Sequence, residues 1–199
     1  MPTLDTVIAI TGGNREMQAV LDLVWEKFLP GLKGAPLPPN AEASEKLRKK
    51  LSSLSIHAPS GKTSSPLSTS ITGKRFVFPV NDRHLEAVSL EFGANGATLR
   101  LQNSSGETKI PSGSGAWRKG RAYFIASPDK RMSVTGEQPV AASGAWITED
   151  TYAMKLCFYQ TPFSVTLTFQ FKGDQLLFDT EYSVAFGPTK LPQLVAHTP

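Results

Sequence analysis

The hydrophobic pattern at the start of the chain predicts a buried strand followed by an amphipathic helix. Residues 7–10, VIAI, form an unbroken apolar run, which is typical of a strand covered on both faces. Gly12 and Gly13 then predict a turn, and Asn14 is a candidate helix cap. From there to Leu32, apolar residues recur at intervals of three and four. This spacing predicts a helix with one face packed against another surface.

The apolar face of this helix is the first candidate site, a surface for packing against a partner. Its members are Met17, Val20, Leu21, Val24, Trp25 and Phe28. Leaving such a stripe in water would be unfavourable, because burying each large apolar side chain is worth roughly 1.5–3 kcal/mol. Two copies of the chain could bury their stripes against each other, so a homodimer through this helix is one expectation.

The next part of the chain predicts a linker, a second helix and a connection. The run KGAPLPP at 33–39 predicts a stiff proline linker. Asn40 is a candidate cap for a helix through about residue 54, with a narrow stripe of Leu47, Leu51 and Leu54. Residues 57–72 are rich in serine and proline and have no period of two or 3.6. We expect them to form a connection.

From Gly73 onward, short alternating segments separated by glycine turns predict an all-β domain. The alternation is clearest in 152–158 and 163–171, and Asn95-Gly96 and Gly173-Asp174 are predicted turns. The expected fold class is mainly β, α+β overall. It comprises an N-terminal strand and two helices attached to an antiparallel up-and-down, lipocalin-like β-barrel of about eight strands. The predicted segments are 1–32, 33–72 and 73–199.

The last strands are crowded with aromatic residues, which are candidates for lining the barrel. They are Trp146, Tyr152, Phe158, Phe163, Phe169 and Phe171. One interpretation is that these side chains simply fill the interior. The other is that they line a pocket, because an eight-stranded barrel can hold one small apolar ligand.

Composition narrows the classes of partner and chemistry. The formal charge of +4 comes from 21 basic and 17 acidic residues, and the basic cluster at 45–51 lacks the stacking aromatics of a nucleic-acid site. The single cysteine, Cys157, excludes an internal disulfide and suits a small core residue. The three histidines, His57, His84 and His197, are far apart in sequence, so we expect no metal and no cofactor. We also expect no membrane span, and the first residues lack the features of a signal peptide.

The order of these segments and their residue patterns resemble those of a known family. The opening strand and helix resemble the C-terminal end of the serine β-lactamase and penicillin-binding-protein fold, in which the last strand leads into a terminal helix. The stretch VAASGAWITEDTYAMKLCFYQTPFSVTLTFQF at 140–171 and FGPTKLPQLV at 186–195 resemble the extra C-terminal β-domain of some β-lactamase-related serine hydrolases.

The resemblance implies that the catalytic elements of the family would lie before Met1. These are Ser-x-x-Lys, a Tyr-x-Asn or Ser-x-Asn element and Lys-Thr-Gly. This chain would then be a non-catalytic accessory portion that packs beside its own catalytic domain, and the parent enzyme would be periplasmic or secreted. The alternative is a stand-alone lipocalin-like barrel that binds a small apolar ligand.

Two short stretches imitate the catalytic elements. Ser127-Pro128-Asp129-Lys130 matches Ser-x-x-Lys, but it lies in all-β texture, where we expect a hairpin or loop rather than the helix that the chemistry needs. Lys62-Thr63 is followed by Ser64 where the family has glycine, and it lies in the serine-rich connection. We therefore expect no catalytic residue in this chain.

Overall fold

A computed structural model describes residues 6–32, 35, 38–123 and 136–199, in two units, Met1–His57 and Ala58–Pro199. The first unit contains α1 (Met17–Leu23), which continues as a π-helical turn at Val24–Phe28 and a 3₁₀ turn at Leu29–Gly31. It also contains α2 (Ala41–Ser52). No described residue between 6 and 57 is buried.

Two expectations for the first residues are corrected. Residues 7–10 belong to no strand, because no described segment pairs with them, and Val7 is 93% exposed. The N-cap of α1 is Glu16 rather than Asn14, with no capping side-chain hydrogen bond. The second helix is confirmed, and Asn40 caps it by accepting a hydrogen bond of 2.9 Å from the Ala43 backbone N–H.

The second unit is a single antiparallel sheet wound into a barrel. In the described part of the chain its ten strands are β1 (Phe76–Val77), β2 (Leu85–Gly93), β3 (Gly96–Asn103), β4 (Gly106–Ser114), β5 (Arg118–Tyr123), β6 (Glu137–Trp146), β7 (Thr151–Cys157), β8 (Ser164–Lys172), β9 (Gln175–Tyr182) and β10 (Leu194–His197). Each strand pairs with the next one along the chain, as in an up-and-down meander, and β1 also pairs with β10. The exception is β4 and β5, which stand at the two ends of the strand order β4-β3-β2-β1-β10-β9-β8-β7-β6-β5.

The ring closes through a short parallel pairing between β4 and β6, with Gly113 opposite Ser143 and Ser114 opposite Gly144. β5 lies outside this ring, along the other half of β6. The predicted mainly β fold with an antiparallel up-and-down barrel is therefore confirmed, with nine strands in the ring instead of about eight. Closure matters because it leaves most strand edges paired.

The core of the barrel follows from the alternation of the strands. On β8, Val165, Leu167 and Phe169 are fully buried while the residues between them are partly exposed, and β9 continues the pattern with Leu176 and Phe178. These inward side chains form one cluster with residues from all the other described strands, β1 to β7 and β10.

Residues 58–73, which we define as the cap, belong to the barrel unit although the sequence predicted a separate connection up to residue 72. The cap carries α3 (Ser68–Ile71). It lies at the end of the barrel where the even-numbered strands finish, which we define as the capped end: Gly73 donates to the Leu90 carbonyl at 2.9 Å. Ile71 is 3% exposed and belongs to the core. None of the described helices is long and apolar enough to cross a membrane.

Candidate functional site

The candidate site is the group of aromatic rings beneath the cap. Trp146 ends β6 and lies opposite Tyr152 near the start of β7, with ring centroids 5.4 Å apart. Phe92, from the end of β2, lies 5.0 Å from the Trp146 ring and 5.1 Å from that of Tyr152. Phe171, from the end of β8, lies 6.0 Å from Trp146. Strand ends from different hairpins therefore bring these four rings together at the capped end.

The cap is held against this group mainly through backbone hydrogen bonds. Lys62 donates to the Trp146 carbonyl at 2.8 Å, and the Trp146 N–H donates to the Lys62 carbonyl at 2.9 Å. The close approach requires glycine at position 61, because a Cβ there would lie 2.2 Å from the Trp146 carbonyl oxygen. The Ser65 hydroxyl adds a hydrogen bond of 2.6 Å to the Glu149 carbonyl.

The Trp146 indole has a polar atom that its surroundings leave without a partner. The side chain is 1% exposed, and among the described residues Nε1 is the buried side-chain nitrogen or oxygen without a hydrogen-bond partner. An unsatisfied buried donor costs roughly 1–3 kcal/mol, and buried tryptophan N–H groups usually find a partner.

Tyr152 is the second polar group beside the rings, and it is satisfied. Burial raises the pKa of its phenol, and a side-chain hydrogen bond with Ser112 acts in the opposite direction. Ser112 is itself buried and donates to the Ala97 carbonyl at 2.9 Å. The hydroxyl of Tyr152 therefore stays protonated and ties β7 to the strand that closes the ring.

An open groove of about 410 Å³ lies beside the cap. Its lining residues are Ser65, Pro66, Leu67, Ser70, Glu149 and Asp150. Hydrogen bonds from Thr148, Thr151 and Gln170 lower the pKa of Asp150 to about 2, so its carboxylate is charged at neutral pH. Leu67 also packs against the core cluster.

The opposite end of the barrel carries a partly buried cation. Arg83, in the loop between β1 and β2, donates through Nη1 to the buried Thr180 hydroxyl at 3.2 Å and through Nη2 to the Pro192 carbonyl. Burial lowers the pKa of Arg83, while Tyr182 and Asp179 act in the opposite direction. Burial also raises the pKa of Tyr182, against the effect of Arg83. The guanidinium thus joins the β1–β2 loop to β9 and to the loop between β9 and β10.

The structure places the predicted barrel-lining residues unequally. Trp146, Tyr152, Phe158, Phe169 and Phe171 are all buried members of the core. Phe163 is only partly buried, precedes β8 and is not a member of that cluster, because the chain is still in the loop that joins β7 to β8.

Two further rings of the core region, Phe92 and Phe76, were not among the predicted lining residues. Phe76 lies 5.7 Å from Phe171, and Phe92 contacts two rings of the site. The alternation of Val88, Leu90 and Phe92 on one strand was the available signal for Phe92.

The predicted helix face lies exposed in the first unit. Met17, Leu21, Trp25 and Phe28 are 73%, 41%, 55% and 51% exposed. Val20 and Val24 are partly exposed. The apolar side chains of α2 are also exposed. These faces are therefore uncovered within the described residues.

The two imitations of catalytic motifs have different outcomes. Ser127 and Lys130 lie outside the described residues. In the other stretch, Lys62 serves the cap through its backbone, and Thr63 and Ser64 are exposed. Within the described ranges, no group of three or more histidine, cysteine, aspartate or glutamate side chains converges to hold a metal ion.

Comparisons with known proteins give only a distant structural likeness. Neither a protein-family model nor a curated protein matches the chain. Among solved structures, a fatty acid-binding protein from brain tissue of Drosophila melanogaster, crystallised without citrate inside, matches with a TM-score of 0.45 and 9% identity. The match covers 65% of this chain and 99% of that one.

Proposed function

We propose that this chain is a non-catalytic accessory portion of a β-lactamase-related serine hydrolase. In this proposal the helical unit packs against the catalytic domain, and the barrel is a rigid module attached to it. The observation that carries the proposal is the exposure of the helical unit, where no described residue from 6 to 57 is buried.

The free-energy cost of leaving the apolar helix face in water supports the proposal that another surface covers it. Burying its six apolar side chains would be worth roughly 1.5–3 kcal/mol each, as an upper bound. The helix itself is only seven residues long before its hydrogen-bond pattern changes, and isolated helices of that length are marginal in water. A partner surface would supply what the local sequence lacks.

The family resemblance specifies which surface this would be. A β-lactamase-type catalytic domain ends in a strand followed by a helix that packs across its sheet. Residues 7–10 would then add a strand to that sheet and gain the hydrogen bonds that they lack here. Met17, Leu21 and Trp25 would face the same sheet.

The packing of the barrel supports a structural role for the second unit. Its interior is occupied by large side chains with almost no exposed surface, including Phe169, Leu167 and Met154. Such a closely packed interior gives the module rigidity. The module would then act by restricting access to the neighbouring active site or by mediating self-association through the helix face.

The alternative is a stand-alone barrel that binds a small apolar ligand. One observation favours it, the buried indole N–H of Trp146 without a partner. A small ligand that carries a hydrogen-bond acceptor would supply the missing partner of this N–H, and it would displace fewer side chains than a large ligand.

The accessory role is tested first by activity and hydrogen exchange. The purified chain is assayed with a chromogenic β-lactam and a p-nitrophenyl ester, with Ser127→Ala as the matched variant. We expect no turnover above the buffer rate from either protein. Turnover that Ser127→Ala abolishes would contradict the non-catalytic assignment.

Hydrogen exchange then tests the exposed segment. In the monomeric chain, the backbone amides of residues 7–10 and of α1 should exchange within the dead time of the experiment. Strong protection of these amides in a monomer, established by light scattering, would show that the segment needs no partner. Protection that appears only in a dimer would instead favour self-association.

A further inference from the structure

The second helix of the first unit carries an apolar stripe that no described part of the chain covers. Its members, which we define as the leucine stripe, are Leu47, Leu51 and Leu54, and each is more than half exposed. Leu47 and Leu51 belong to α2. Leu54 follows the helix directly, and its N–H donates a hydrogen bond of 3.3 Å to the Leu51 carbonyl. The stripe therefore runs along the C-terminal half of the helix and over its end.

The charged residues of α2 are arranged by sign around the leucine stripe. In a regular helix each residue turns about 100° from the last, which places Lys50 roughly 70° from the centre of the stripe. Lys46 lies about 110° away on the same side, and Arg48 lies about 90° away on the other side. The acidic residues of the helix, Glu42 and Glu45, lie on the opposite face, roughly 150° away. Cations therefore border the stripe on both sides, and the carboxylates do not.

Ion pairs leave part of this positive charge uncompensated. Lys46 pairs with Glu42 at 2.7 Å, and Arg48 pairs with Glu45. Lys50 forms no ion pair with a described residue. With four basic and two acidic side chains, α2 carries a net charge of +2. Exposed ion pairs of this kind are weak, so both paired cations can exchange their carboxylate for an external anion.

This arrangement matches a flat anionic surface. A lysine or arginine beside an apolar stripe can lay its aliphatic stem over apolar material while its charged end extends to the polar boundary. At a lipid surface the leucines would enter the acyl region, and the headgroups would provide negative charge along both sides of the stripe at once. A protein groove that covered the same stripe would need matching carboxylates on both of its walls.

We propose that α2 binds the surface of a bilayer that contains anionic phospholipids. The helix axis lies in the plane of the membrane, the leucine stripe enters the acyl region, and Lys46, Arg48 and Lys50 reach the phosphates. The binding is peripheral and reversible, because the stripe has only three leucines. It rests on α2 alone and does not depend on the proposed packing of α1 against a catalytic domain.

The first experiment compares two lipid surfaces. The full chain is sedimented with vesicles of phosphatidylcholine alone and with vesicles of phosphatidylcholine and phosphatidylglycerol in equal parts. We expect binding to the anionic vesicles to be stronger by roughly tenfold or more, since each lysine or arginine near such a surface strengthens binding roughly fivefold. Added salt should weaken this binding, because salt screens the surface charge.

Two results of this comparison would overturn the proposal. The first is equal binding to the neutral and the anionic vesicles, which would show that the cations do not contact the lipid. The second is the absence of sedimentation with the anionic vesicles, which would leave the stripe to an acidic protein groove. Both results come from the wild-type chain and require no variant.

Two neighbouring lysines provide a matched pair of variants. Lys49 and Lys50 lie in the last turn of α2, and neither forms an ion pair with a described residue. Lys50 borders the stripe, whereas Lys49 lies on the opposite face, roughly 170° from its centre. Lys50→Gln should weaken binding to the anionic vesicles roughly fivefold, and Lys49→Gln by less than about twofold. Equal losses would contradict an orientation with the stripe in the membrane and would overturn the proposal.

A third variant tests the leucine stripe itself. Leu51→Gln keeps a good helix former and removes apolar surface, so it should weaken vesicle binding roughly tenfold or more. The control is Leu23→Gln, which makes the same change at a leucine of α1 that is exposed to nearly the same extent. This control should leave vesicle binding unchanged. If Leu23→Gln costs as much binding as Leu51→Gln, the lipid contact does not lie at the stripe and the proposal fails.

Discussion

Replacing Gly144 by alanine should destabilise the barrel by pushing Tyr152 out of the aromatic group. Gly144 lies on β6, where it pairs with Met154 of β7 on one side. On the other side it pairs with Ser114 of β4, at the closing seam, which is the short parallel pairing of β4 with β6 that closes the ring. A Cβ at this position would lie 2.1 Å from the Tyr152 hydroxyl oxygen and 2.5 Å from Cζ. The phenol ring must therefore move, because distances this short are not tolerated between non-bonded atoms.

The expected magnitude follows from what the ring contacts. Tyr152 packs against Phe92, Trp146 and Phe169, with centroids 5.1, 5.4 and 6.5 Å away, and also hydrogen-bonds to Ser112. Aromatic pairs contribute roughly 0.5–1.5 kcal/mol each, and overpacking a core typically costs roughly 1–3 kcal/mol. We expect a loss of about 2–3 kcal/mol in the free energy of unfolding. In a domain of this size, that loss lowers Tm by roughly 4–12 °C.

Urea unfolding followed by near-ultraviolet circular dichroism measures this loss. Gly187→Ala is the matched control, because a Cβ at position 187 meets nothing within 4 Å. In a Tyr152→Ala background, Gly144→Ala should cost much less, because the obstructing ring is gone. If Gly144→Ala costs no more than Gly187→Ala, or costs the same with and without Tyr152, the reasoning is refuted.

Three smaller predictions concern single side chains. NMR titration should give a pKa of about 2 for Asp150. Because this pKa is lower in the folded chain than in the unfolded one, the ionised carboxylate stabilises the fold above about pH 4. Asp150→Asn should therefore be less stable than the wild-type chain at neutral pH, and the difference should vanish as the pH falls through about 2. Burial raises the pKa of the Cys157 thiol, so a disulfide reagent should react with it much more slowly in the folded chain than in urea, and equal rates would contradict its burial. Asn40→Ala should lower the stability of α2 by roughly 0.5–2 kcal/mol, visible as lost amide protection at Ala43, whereas unchanged protection would show that the cap contributes nothing.

The strands of the barrel were predictable where alternation was long and clean. Period-two patterns over β7, β8 and β9 place Met154, Leu167 and Phe178 on the buried face, because successive side chains of a strand point to opposite sides. The helix α2 was predictable for a similar reason, since Asn40 supplies a cap directly before a run of good helix formers.

The closing seam and the cap were beyond prediction. The parallel pairing of β4 with β6 involves only Gly113, Ser114, Ser143 and Gly144, and such small residues carry no hydrophobic period. The cap has no period either, and its position depends on long-range backbone bonds between Lys62 and Trp146. The unpartnered indole N–H is likewise a property of packing in three dimensions.

The N-terminal prediction was wrong in an informative way. An apolar run such as 7–10 indicates a strand only if another strand lies beside it, and the described residues provide none. The helix pattern was recognised, but the change to a π-helical turn at Val24–Phe28 has no local sequence signal. Both differences affect the same exposed apolar segment, on which the proposed accessory role rests.

The most direct test of that role is to read the coding DNA upstream of the Met1 codon. The account predicts an in-frame extension that encodes Ser-x-x-Lys in a helical pattern and Lys-Thr-Gly on a strand shortly before residue 7. Such an extension would provide the sheet against which Met17, Leu21 and Trp25 are proposed to pack. An in-frame stop codon close upstream, with no such elements between it and Met1, would contradict the account.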